Sequence, residues 1–158
     1  MKVLATVGVA ALMTMGLAAQ ASAFSLNPKP TTSLTITGPT TLSAFGTTIN
    51  CTSTFGGSIN ASGVGSISSA SFSGSGCGIV SPSGLPWTVT AIDATHADIT
   101  NVKVVVAGLV TCGPGTVHGT LVGTQPTKTL SFTGTIGSCS VASNPTVTSS
   151  VALSITNP

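Results

Sequence analysis

Apolar and polar residues alternate along most of this chain. Ser33-Leu34-Thr35-Ile36-Thr37 puts Leu34 and Ile36 on one face and hydroxyls on the other. The pattern recurs in 66–72, in 87–92 and in 147–155. A period of two residues predicts strands half-buried on a sheet. Val102 to Val106 is nearly continuous apolar apart from Lys103, which predicts a strand buried on both faces or an edge covered by a partner. Thr, Val and Ile, whose branched side chains pack well on a pleated surface, supply much of these runs. Turn signals separate them, at Gly38-Pro39, Gly56-Gly57, Ser62-Gly63, Ser81-Pro82-Ser83-Gly84, Gly113-Pro114-Gly115, Gly123, Gln125-Pro126 and Asn144-Pro145. The expectation is one all-β domain over 24–158. Its form would be an antiparallel β-sandwich, Ig-like or jelly-roll-like, of about eight to ten short strands.

The first 23 residues differ. Lys2 precedes a small-residue apolar run from Val3 to Leu17, and Ala21-Ser22-Ala23 follows. This order matches a signal peptide cleaved after Ala23. The run is shorter than the roughly 20 apolar residues of a membrane-spanning helix. No later stretch reaches that length, so no transmembrane segment is expected in the mature chain and secretion is.

The four cysteines, Cys51, Cys77, Cys112 and Cys139, are 26, 35 and 27 residues apart. An even count in an exported chain reads as two disulfides, and the absence of a C-x-x-C pair argues against zinc. A weak internal repeat, about 46–77 and 107–139, suggests the pairing. Each copy runs from a Cys through a Gly-rich hairpin to Ser71-Phe72-Ser73-Gly74 or Ser131-Phe132-Thr133-Gly134, then to the second Cys. One bridge per half gives Cys51–Cys77 and Cys112–Cys139, each worth about 3–4 kcal/mol on a chain-entropy model.

Composition narrows the function. Charged residues are 4% of the 158, with four Lys+Arg against two Asp+Glu. No basic face exists for phosphate contacts, which argues against nucleic acid as a partner. Asp93, His96 and Asp98 sit close together, and in a strand His96 and Asp98 would share a face. That could make a weak metal site or an Asp-oriented base, but a polar turn between Ile92 and Ile99 accounts for them better, since the cluster lacks the ligand count of a metal site, and none is expected. His118 has no distinctive nucleophile, and no Gly-x-Ser-x-Gly motif is present. The chain is therefore expected to be no enzyme and to need no cofactor. Trp87, the one tryptophan, enters a strand from Gly84-Leu85-Pro86. It reads as a core residue or as a ligand or interface contact. A surface of hydroxyls with few charges suits two partners: a hydrocarbon or surfactant interface, and further copies of the chain in an oligomer or fibre. Residues 24–37 read as an ordinary first strand, or as a donor strand for such a fibre.

Several segments together resemble a known family. They are Thr37-Gly38-Pro39, Asn50-Cys51-Thr52-Ser53-Thr54-Phe55, Ser69-Ala70-Ser71-Phe72-Ser73-Gly74, Gly84-Leu85-Pro86-Trp87-Thr88-Val89, Ile99-Thr100-Asn101-Val102, Thr111-Cys112-Gly113-Pro114-Gly115 and Cys139-Ser140-Val141. The chain resembles the small secreted bacterial activators of alkane oxidation of the PraB type. The resemblance implies an exported, non-enzymatic accessory that helps cells use long-chain alkanes, through hydrocarbon-interface binding or emulsification. It implies no catalytic residues. A self-assembling or adhesive subunit of an extracellular matrix or surface fibre is the alternative.

Peptide mapping without reduction is expected to join Cys51 to Cys77 and Cys112 to Cys139. A Cys51–Cys112 or Cys51–Cys139 peptide would instead mark a staple between two sheets.

Overall fold

The computed structural model describes residues 24–122, 129–143 and 148–157. The expected signal peptide and the turns at Gly123, Gln125-Pro126 and Asn144-Pro145 lie outside the described residues. The described chain is built of strands: β1 (Ser25–Asn27), β2 (Thr31–Ala44), β3 (Thr47–Ile59), β4 (Gly65–Ser73), β5 (Val80–Ser83), β6 (Trp87–Ala91), β7 (His96–Val106), β8 (Val110–Val122), β9 (Thr129–Ile136), β10 (Cys139–Ser143), β11 (Thr148–Ser149) and β12 (Ser154–Thr156).

The strands do not form a sandwich. They run antiparallel in the order β2-β3-β4-β6-β7-β8-β9-β10, and β10 then pairs with β2. The sheet closes into an eight-stranded barrel. The alternation that predicted two facing sheets is equally satisfied here, because every barrel strand also has one face inside and one outside. In β2 the inward positions are Leu34, Ile36, Gly38, Thr40, Leu42 and Ala44. β5 and β6 share one position in the ring. β5 pairs with β7 from Val80↔Val106 to Ser83↔Lys103, and β6 takes over at Thr88↔Thr100. Gly84-Leu85-Pro86 is the break between them. Val102–Val106 also departs from expectation: Val102, Val104 and Val106 are buried, while Lys103 and Val105 lie outward and half-buried.

The two barrel ends differ. The "bridged end" carries the β2–β3, β4–β5, β7–β8 and β9–β10 connections, near both disulfides. The "ribbon end" is covered by β1 and β12, which pair with each other over three residues. The first described strand, β1, thus finds its partner within the same chain. Leu26, Leu153 and Ile155 of this region join Leu34, Ile59, Ala91 and Leu121 in one apolar cluster. A larger cluster fills the rest of the barrel around Trp87, Val104, Val117, Phe132 and Ile136. Phe55 is its aromatic hub, with ring centroids 6.3 Å from Phe72, 6.3 Å from Trp87 and 5.9 Å from Phe132. These spacings suit tilted and edge-on contacts. Phe72 and Phe132, the two phenylalanines of the internal repeat, therefore meet the same ring.

Hydroxyls that enter the interior find partners. Thr40 and Ser53 are buried and hydrogen-bond to each other. Pairing removes most of the cost of dehydrating them.

Gly134 faces Val117 across the β8–β9 pair. A Cβ at Gly134 would lie 2.9 Å from Val117 Cα and 2.7 Å from the Thr116 carbonyl oxygen. Overpacking of this kind typically costs about 1–3 kcal/mol. Gly134→Ala is expected to lower the unfolding free energy by that amount, seen as a lower midpoint in a denaturant titration, and an unchanged midpoint would remove this close approach from the account.

Candidate functional site

The two aspartates and two histidines form two separate pairs. Asp93 closes the β6–β7 turn: its Oδ1 accepts from the Thr95 N–H at 2.7 Å and the His96 N–H at 2.8 Å. Asp93 Oδ2 also lies 2.7 Å from His96 Nδ1. His118 Nδ1 is 2.7 Å from Asp98 Oδ1, across the β7–β8 register that sets these residues opposite each other. The sequence suggested His96 with Asp98, but the turn turns His96 back to Asp93, and Asp98 meets a residue 20 positions away. Among the described residues no group of three or more His, Cys, Asp or Glu could hold a metal.

The bridged end has the opposite character. Cys51 is joined to Cys77, with Cα atoms 5.8 Å apart, and Cys112 to Cys139 at 5.5 Å. The first bridge ties the β4–β5 connection to β3. The second ties the start of β8 to the start of β10. Ala107 N–H donates to the Ile79 carbonyl at 2.7 Å, which links the β4–β5 and β7–β8 connections. On this braced rim stand three exposed apolar side chains: Phe45 (72% exposed), Ile79 (48%) and Leu109 (88%). Residues 44–50, 74–80, 106–111 and 136–139, which make up the rim, include no ionisable side chain apart from the bridged cysteines. Lys29, Asp93 and His96 lie at the ribbon end, with Asp98 and His118 in the same half, whereas Lys103 stands on the outer wall of the bridged half, short of the rim that begins at Val106. Ile92 and Val122 are also exposed, both at the ribbon end, where Ile92 stands beside Asp93.

Phe45 is the most informative of the three. It and Gly46 form the two-residue turn between β2 and β3, with φ of +51° and +78°. Such turns favour Asn or Gly at both positions, and a bulky side chain in the left-handed region is strained. Neither the backbone nor burial asks for a phenylalanine here. Strand alternation gave no signal for this rim, because the three residues stand in or beside connections.

Trp87 lies inside the barrel. The residue is 2% exposed, and Nε1 donates to the Ser83 carbonyl at 3.0 Å. It borders an apolar cavity of about 50 Å³ together with Phe55, Phe72, Val104 and Ile136. A second cavity, of about 70 Å³, lies toward the ribbon end among Leu34, Ile59, Leu121 and the ribbon side chains.

Hydrogen bonds from the backbone N–H of Thr95, then those from the His96 side chain and backbone, hold the Asp93 carboxyl at about 2, below its usual 3.8. A depressed carboxyl pKa stabilises the fold above the unfolded value and ceases to do so as pH falls through the folded one. The Asp93 contribution is therefore present above about pH 4 and lost as the pH falls to about 2. A carboxyl ¹³C titration is expected to place the Asp93 midpoint near 2; a midpoint near 4 would mean that the turn does not hold it.

A search among curated proteins finds no match to this chain, and a search among solved structures finds none. A family model does match, over residues 1–157. That span takes in the whole barrel, both bridges and the apolar rim. The chain belongs to the PraA/PraB-like family of alkane oxidation protein activators.

Proposed function

We propose that this protein is a secreted, non-catalytic accessory of alkane oxidation that attaches to the hydrocarbon surface through its bridged end. The observation that carries the reading is the rim of Phe45, Ile79 and Leu109 on an end without ionisable side chains. A surface that enters oil must shed its water. Hydroxyls and apolar tips can do so at modest cost, whereas ions cannot. Full burial of a large apolar side chain is worth roughly 1.5–3 kcal/mol. Three such side chains supply at most about 5–9 kcal/mol, which corresponds to millimolar to micromolar attachment. The protein would adsorb reversibly and act at many droplets. Two disulfides support an oxidising compartment outside the cytoplasm. The family's description as activators supports an accessory role.

Barrel closure bears on the alternative of a matrix or fibre subunit. The pairing of β10 with β2 leaves the main sheet without the long open edges that edge-to-edge addition uses. This favours adsorption over polymerisation.

The test is adsorption of the purified protein to dispersed hexadecane, followed by depletion from the aqueous phase. The double variant Phe45→Asn/Leu109→Ser is expected to bind at least tenfold more weakly. Phe45→Asn alone is expected to raise the unfolding midpoint slightly, since Asn suits the turn better. Undiminished adsorption of the double variant would overturn the assignment to this rim. Filaments forming without oil would replace the reading with the self-assembling subunit.

A further inference from the structure

The interior of the barrel suggests a second way of handling hydrocarbon. We propose that it takes up a linear alkyl chain, with the β1–β12 ribbon acting as a movable stopper. The choice of occupant rests on the alkane role above; the cavities do not.

The two cavities lie one beyond the other between the bridged and ribbon ends. Ile67, Ile99 and Phe132 form part of the wall of both, so shifts of these three side chains join them into one slender channel. The walls are apolar. At the ribbon end they are almost wholly aliphatic, with Leu34, Ile59, Leu121 and Leu130 prominent. The buried hydroxyls of Thr40 and Ser53 already satisfy each other. No buried side-chain polar atom lacks a hydrogen bond among the described residues. The interior therefore offers nothing to a polar head group, and an unbranched hydrocarbon needs nothing more.

Size identifies the moving part. A dry apolar cavity of ~150 Å³ accommodates a benzene. The larger cavity here is about 70 Å³, so a chain of more than a few carbons needs more room. Most of its wall is barrel strand, held by long ladders such as the twelve pairs of β2 with β3. The rest is Leu26, Leu153 and Ile155, on or beside a ribbon of three residue pairs. The ribbon leans on the β3–β4 turn through the Leu26 N–H, which donates to the Gly63 carbonyl at 3.0 Å. If these three side chains swing outward, the methylenes of an incoming chain take their place against the same aliphatic wall.

Trp87, the chain's one tryptophan, borders the inner cavity and reports on occupancy. The purified protein, with disulfides intact, is titrated with 1,8-dibromooctane below its solubility limit. Bromine at contact distance quenches indole emission, and a bromine at each end makes the direction of insertion immaterial. The expected result is saturable, one-to-one quenching of at least half the emission, relieved by excess n-octane. Ala97→Leu, which fills the ribbon-end cavity, is expected to weaken this binding tenfold or more. Should that variant fail to fold, competition by n-octane on the unaltered protein still decides. Quenching that rises without saturation, or that n-octane does not relieve, overturns the proposal. The Phe45→Asn/Leu109→Ser protein is expected to be quenched normally, and loss of quenching there would place the probe at the rim and overturn it too. Saturable quenching with rim-independent adsorption defeats only the rim assignment. Rim-dependent adsorption without saturable quenching defeats only the interior one.

Discussion

Five residue pairs, from Cys139↔Ala44 to Ser143↔Thr40, join the last barrel strand to the first. Closure gives every barrel strand a neighbour on both sides and turns a long, hydroxyl-rich sheet into an object with an inside and an outside. The inside collects Leu, Ile, Val and a few aromatics. The outside is left to Thr and Ser. A chain so poor in charge has little repulsion to keep open strand edges apart. Backbone pairing around the ring does that work by leaving few edges to pair.

Closure also creates two ends, and the scarce charges are divided between them unequally. The ribbon end takes Lys29 and the Asp93–His96 pair, with Asp98–His118 in the adjoining half, and Lys103 stands on the outer wall toward the bridged end, short of its rim. The bridged end takes both disulfides and the exposed Phe45, Ile79 and Leu109. The bridges tie the connections at this end to neighbouring strands. A hydroxyl-rich wall ending in a rim of apolar side chains without charges suits attachment to an oil surface. An aliphatic interior closed by a short ribbon suits a single chain drawn from it. The two proposed roles would use different parts of one barrel.

The conformations at the bridged end reinforce its functional reading. Phe45 occupies a left-handed turn position that suits Asn or Gly, with its ring in solvent. A residue unsuited both to its backbone and to its surroundings is explained best by something outside the folded chain that it touches. The Asp93 turn shows the reverse case, in which an exposed carboxylate is fully engaged in ordering its own loop.

Much of this molecule was legible in the order of its residues. The Leu34–Thr35–Ile36 alternation specifies strands, because a pleated backbone sends successive side chains to opposite faces. The repeated Cys and Ser-Phe-x-Gly pattern specifies local bridges, because each copy folds its own hairpins. Periodicity is blind to partners, however, and a sandwich and a barrel share it. Only the tertiary structure pairs β10 with β2, turns His96 to Asp93 and Asp98 to His118, and points Trp87 into the barrel. Only there do Phe45, Ile79 and Leu109, from three separate connections, come to one end. These features depend on contacts between residues far apart in the chain, and such contacts are decided by how the sheet closes.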